Sequence, residues 1–210
     1  MIFLKSQRLC LPLQSLFIIV FLTTQGCSLL PKEPAIGHTI YDWPSTESKL
    51  RKLNHWSLFG KFGIRTDEES VTAAINKWVQ TDDQFEIDIS STFFGLGSSK
   101  LFGNANFLSI YESGEEPVSS FEPDKLMQSA LGIPLPISYL PSWIKALPAR
   151  DMKYTQTFNN QGLPESLTQD GWTLSFSNYH TEHSPPLPGK IRIQRDNIRI
   201  ILAVKEWTTP

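Results

Sequence analysis

The chain reads as mainly β: a long antiparallel sheet interrupted midway by two short helices. Three observations carry that reading. Apolar and polar residues alternate over residues 56–64 and again over 85–90, the spacing of a strand with one buried face. Connections such as Thr81-Asp82-Asp83-Gln84 are only a few residues long, which makes antiparallel meander pairing the natural topology. Helical spacing of three and four is confined to a few short stretches.

In chain order, Pro44-Ser45 opens a short helix with Leu50, Leu53 and Trp56 as its apolar stripe. From Trp56 the period changes to two, with Leu58, Gly60, Phe62 and Ile64 on one face. Residues 71–80, 85–90, 101–102 and 107–111 continue as strands in β-favouring residues. The middle differs. Residues 124–131 follow Glu122-Pro123, carry Leu126, Met127, Ala130 and Leu131, and stop at Gly132, all helical signals. Ser138 is placed to cap a second helix in which Leu140, Trp143, Ile144 and Leu147 fall at i, i+3, i+4 and i+7, ended by Pro148. Strands resume at 154–158, 166–169, 172–176, 191–193 and 198–204. A single sheet with about ten strands must curl, and helices inserted midway can cover its inner face. The resulting apolar space either packs solid or holds a ligand, and periodicity is the same in both cases.

The first residues are of another kind. Lys5 and Arg8 precede a mostly apolar run over 9–22, shorter than the ~20 residues a spanning helix needs, and small and polar residues lead to Gly26-Cys27. This is the order of a secretory signal peptide rather than of an uncleaved anchor. Thr24-Gln25-Gly26-Cys27 resembles a bacterial lipobox, which implies cleavage before Cys27 and a diacylglycerol and an N-acyl chain on that cysteine. The expected organisation is therefore a cleaved lipoprotein signal peptide over 1–26, a lipidated flexible tether over 27–43 with Pro31, Pro34 and Gly37, and one folded domain over 44–210. Ser28, where an Asp is associated with retention in the inner membrane, implies the outer membrane of a Gram-negative bacterium, with the folded body facing the periplasm.

Composition removes several function classes. The 210 residues hold 19 Lys+Arg and 21 Asp+Glu, and loss of Lys5 and Arg8 takes the net charge from −2 to −4. Such a balance is wrong for gripping nucleic acid phosphates. Two cysteines, one of them in the cleaved segment, leave neither a disulfide framework nor a free-thiol nucleophile. His180 and His183 lie three apart in a Pro-rich loop without a third ligand nearby, so no metal site is expected. No Gly-x-Ser-x-Gly elbow, His-Glu-x-x-His or phosphate loop occurs, and Asp82-Asp83 and Glu115-Glu116 read as solvated turns. No catalytic residue and no cofactor is assigned.

Several stretches together resemble the LolB family of outer-membrane lipoprotein receptors. They are Asn76-Lys77-Trp78-Val79-Gln80, Gly95-Leu96-Gly97-Ser98, the run from Leu131-Gly132-Ile133-Pro134 through Trp143-Ile144 to Leu147-Pro148, Gln169-Asp170-Gly171-Trp172, Pro186-Leu187-Pro188 and the final strand ending at Trp207. Lys145-Ala146 depart from the family by replacing a more apolar, Gly-containing turn. The resemblance implies an open, incomplete β-barrel with a helical lid over an apolar cavity that takes the acyl chains of client lipoproteins. It also implies a monomer that receives those clients from the periplasmic carrier LolA and inserts them into outer-membrane lipid. Leu96, between two glycines and beside Phe93 and Phe94, matches the family's exposed apolar loop residue and is the expected membrane-insertion tip. Trp78, Met127, Leu131, Leu140, Trp143, Ile144, Leu147 and Trp172 are the expected cavity residues, with ordinary core packing as the plainer reading of each. The alternative in another class is a scaffolding envelope lipoprotein whose β core is solid.

Overall fold

The computed structural model describes residues 39–91 and 97–210, with Ser91 and Gly97 described by backbone alone. Cys27, Phe93, Phe94 and Leu96 lie outside the described residues. Within them, eleven antiparallel strands form one sheet in the spatial order β6-β5-β4-β3-β2-β1-β11-β10-β9-β8-β7. The first meander comprises β1 (His55–Arg65), β2 (Ser70–Thr81), β3 (Gln84–Ser91), β4 (Gly97–Asn104), β5 (Phe107–Glu112) and β6 (Val118–Ser120). The second comprises β7 (Tyr154–Phe158), β8 (Pro164–Gln169), β9 (Trp172–Ser177), β10 (Lys190–Arg195) and β11 (Ile198–Thr208). The two join where the first and last strands pair, from Ser57 opposite Thr208 to Arg65 opposite Arg199. Strands β6 and β7 remain unpaired edges, so the sheet is not closed into a barrel.

The segment that links those edges carries α2 (Pro123–Leu131), a 3₁₀ turn at Ile137–Tyr139 and α3 (Leu140–Trp143). Helix α2 begins at Pro123, whose missing N–H costs nothing in a first turn, and ends at Gly132 in a left-handed conformation with φ 69°. Helix α3 is shorter than the i, i+3, i+4, i+7 spacing predicts. Backbone N–H groups of Lys145 and Ala146 bond the carbonyls three residues back, at 3.0 Å each, and Ala146 itself sits at φ 59°. The chain thus turns out of the helix before Leu147. Ser138 does not cap this helix; its hydroxyl donates to Asp124 at 3.1 Å.

Two further details depart from strict alternation. In β2 the buried positions run Ala73, Ile75, then Trp78 and Gln80, because pairing with β3 slips between Ile75 and Lys77. Asn76 is the extra residue of this bulge, and its amide donates to Asp88 and Ser90 on the outer face of β3. In β1 a bulge at Phe59/Gly60 brings β11 so close that a Cβ on Gly60 would stand 2.3 Å from the Ala203 carbonyl.

Helix α1 (Trp43–Lys52) precedes the sheet. Its N-cap is Asp42, which accepts from the Ser45 N–H at 3.1 Å. Ordered packing begins ahead of the expected boundary at 44: Tyr41 N–H donates to the Gln161 carbonyl at 2.8 Å, and the rings of Trp43 and Phe158 lie 5.6 Å apart. Trp56 belongs to β1 rather than to this helix. Strand β6, only three residues long, has no sequence expectation behind it.

Candidate functional site: an apolar cavity under a helical cover

Between the sheet and the segment that links its edges lies a cavity of about 90 Å³. The sheet supplies Phe62 and Ile64 from β1, Ile75 and Trp78 from β2, and Ile87 and Ile89 from β3. Leu101, Ile193, Ile200 and Leu202 extend this wall along β4, β10 and β11. Each is an inward position of its strand, the phase in β2 shifting by one residue at the Asn76 bulge. The cover supplies Met127 and Leu131 from α2, Leu135 and Ile137 from the connection, and Leu140 and Ile144 from α3. The lining residues are apolar throughout, so an occupant is held by burial and dispersion, which favour hydrocarbon without selecting its details. The one side-chain N–H in the lining, Trp78 Nε1, is buried and has no hydrogen-bond partner among the described residues.

Five of the expected cavity residues, Trp78, Met127, Leu131, Leu140 and Ile144, are therefore in the wall. Trp143, Leu147 and Trp172 are not in it. They are almost fully buried beside it, with the indole rings of Trp143 and Trp172 6.3 Å apart. What sequence reasoning missed, Trp78 apart, is the sheet's share of the wall. Its signal was the inward phase of each strand, but that phase is common to residues that line a void and residues that fill one.

The cover is fastened at one end by buried polar groups. Gln169 of β8 accepts from Trp143 Nε1 and from the Ala149 N–H, each at 2.9 Å, and donates to the Ala149 carbonyl at 2.9 Å. Lys145, also buried, donates to the carbonyls of Leu50 and Leu53 at 3.1 and 2.8 Å. It thereby satisfies carbonyls at the C-terminal end of α1, where a cation is favoured. Burial, with added repulsion from Arg51 and Arg150, lowers its ammonium to about 8.

Among the described residues no three His, Cys, Asp or Glu side chains converge as metal ligands, and no helix is long and apolar enough to cross a membrane. His180 instead meets Glu182 at 2.9 Å.

An open antiparallel sheet whose inner face is covered by a helical segment over an apolar cavity defines the class of protein, and solved structures share that fold. A solved LolA superfamily protein from Nitrosomonas europaea superposes with a TM-score of 0.51 at 7% identity, over 80% of this chain and 93% of that one. A DUF1329 family protein from Desulfovibrio piger gives 0.50 at 8% identity, over 79% and 90%. Within that class the chain belongs to the LolB family: the family model for outer membrane lipoprotein LolB matches residues 54–207. Relatives named outer-membrane lipoprotein LolB include one from Marinobacter nauticus, 29% identical over 87% of this chain and 90% of its own length. Another, from Francisella tularensis subsp. tularensis, is 32% identical over 80% and 81%. The protein is accordingly an outer-membrane lipoprotein of lipoprotein localisation.

Proposed function

We propose that this protein accepts lipoproteins from the carrier LolA, holds their acyl chains in the cavity between sheet and cover, and releases them into the outer membrane. The observation that carries the reading is the wholly apolar wall shared by sheet and cover. Chains pass from one apolar site to another that binds them more favourably, a transfer that needs no nucleotide and no catalytic group. Affinity built from aliphatic contacts suits a receptor with many clients.

Cavity size adds a mechanical requirement. A dry apolar cavity of about 150 Å³ takes no more than a ligand of benzene's size, so about 90 Å³ cannot take a long acyl chain with the cover seated. The cover must lift, and α2 is the part free to do so, since residues 143–149 are pinned through Gln169 and Lys145. In this reading Cys27 carries the protein's own lipid, and Leu96, with Phe93 and Phe94, enters the membrane surface during release. Ser91 and Gly97, which flank that loop, pair at the same end of the sheet as the β1–β2 turn.

The test is displacement of a hydrophobic fluorescent probe from the purified protein. Acylated client should displace it and unacylated client should not. Failure of the protein to bind any lipid probe would sink the reading in favour of a solid-core scaffold. Leu96→Glu should leave probe binding intact and abolish delivery to outer-membrane vesicles.

A further inference from the structure

The apolar cavity has a polar neighbour. A second depression of about 290 Å³ shares Ile64 and Leu131 with it and is otherwise framed by the β1–β2 turn, the C-terminal end of α2 and the β10–β11 turn. Its polar lining residues are Thr66, Glu68, Glu69 and Asn197. The β1–β2 turn is built rather than loose. Thr66 Oγ1 accepts from the N–H groups of Glu68 and Glu69 at 3.3 and 3.1 Å, and Asn197 donates to Asp67 at 2.9 Å, latching the two turns together. Among the described residues neither Glu68 nor Glu69 forms an ion pair.

Acidic turns gather at this end of the sheet. The β5–β6 turn brings Glu115 and Glu116, the β8–β9 turn Asp170 and the β10–β11 turn Asp196. Helix α2 also ends here with no basic residue in its last turn, so the negative end of its dipole is uncompensated by a side chain. Of the cations at this end, Arg65 and Arg199 are cross-strand partners on the face opposite the buried Ile64 and Ile200. Arg195 lies with its guanidinium 5.7 Å above the Trp172 ring and its Nε 3.9 Å from Asp196, so it offsets Asp196 and leaves Glu68 and Glu69 without an ion pair among the described residues.

We propose that this depression is the head-group end of the lipid site and that Glu68 and Glu69 discriminate against anionic amphiphiles. The inference rests on the cavity being an acyl-chain site. An acyl chain that fills the cavity and leaves past Ile64 and Leu131 places its polar end in the depression that Glu68 and Glu69 line. A lipid-modified cysteine, whose amine is acylated and whose glycerol carries no phosphate, meets them without charge repulsion. An anionic phospholipid places its phosphate against two like charges and a helix C-terminus. The membrane that surrounds the receptor is thereby kept out of a cavity whose apolar wall cannot itself tell one acyl chain from another.

The intact protein in nanodiscs tests this, with trace photoactivatable lipids of identical acyl chains at equal mole fraction. One lipid is an uncharged N-acyl-S-diacylglyceryl-cysteine amide and the other is phosphatidylglycerol. Labelling of cavity residues, read by mass spectrometry, should favour the uncharged lipid by roughly tenfold at low salt. The preference should shrink in about 1 M salt, where the screening length falls to about 3 Å. Glu68→Gln/Glu69→Gln should bring the two lipids to similar labelling by raising the anionic one and leaving the uncharged one unchanged. Equal labelling in the unmodified protein, or an undiminished preference in the double variant, overturns the inference. Absence of cavity labelling by either lipid overturns the acyl-site reading itself.

Discussion

Along the cover, α2 meets the sheet through side chains that also bound a void, whereas residues 143–149 meet it through hydrogen bonds that leave no room. Met127 and Leu131 face the cavity across open space. Trp143, Leu147 and Ala149 are buried, and the Gln169 amide makes three bonds to Trp143 and Ala149. The difference teaches how one short segment can be both anchor and door. Apolar contact is non-directional, so in the function proposed above an acyl chain that replaced the side chains of α2 would exchange one burial for another. A buried amide network has no such substitute, because each parted group is left unsatisfied in a dry site.

Substitutions can break this contrast in order of size. Trp143→Ala removes a fully buried indole and should cost about 3–5 kcal/mol in urea unfolding while sparing acyl-probe affinity in the fraction still folded. Gln169→Leu, which leaves the Trp143 N–H and both Ala149 backbone groups unpaired, should cost about 3 kcal/mol, again without a direct effect on the cavity. Met127→Ala should cost about 2 kcal/mol, the low end for a buried Met because its site already borders a void, yet should change probe affinity several-fold. If Met127→Ala altered stability alone and Gln169→Leu altered affinity alone, the division between door and anchor would be reversed.

Lys145 sharpens the anchor side through pH. Between about 8 and its ordinary 10.5, the folded protein holds this amine neutral while the unfolded chain still binds a proton. Stability therefore rises with pH across that window, by at most about 1.4 kcal/mol per pH unit, and the penalty of the buried charge is complete below it. Lys145→Met should flatten the slope in unfolding measured from pH 7.5 to 10.5.

Much of the architecture was legible because strand periodicity is a local property. Clean alternation in β1 and β3 placed Trp56, Leu58, Ile87 and Ile89 inward, and each is buried. The bulge at Asn76 was not legible, since Ile75 and Trp78 at a spacing of three make sense only once β3 is paired alongside. The same holds for α3. Its apolar spacing is helical through Leu147, but the bonds from Lys145 to α1 come from a partner 92–95 residues away in sequence, and the helix stops at Trp143. Of the candidate site, the cover's share was read from amphipathic spacing at Met127, Leu131, Leu140 and Ile144. Trp143, Leu147 and Trp172 show the same apolar character and lie elsewhere, because a side chain's depth relative to a void depends on its neighbours across the fold.

By itself, then, the sequence determined the antiparallel sheet, the two short helical stretches in its middle and the absence of recognisable catalytic motifs, all of which follow from the order of residues along the chain. Tertiary structure alone decided which inward side chains face empty space, which turns gather at the cavity's acidic end, and which end of the cover is fixed. Those properties depend on distances between residues far apart in sequence. The pairing of β1 with β11 sets them by bringing the two ends of the domain together.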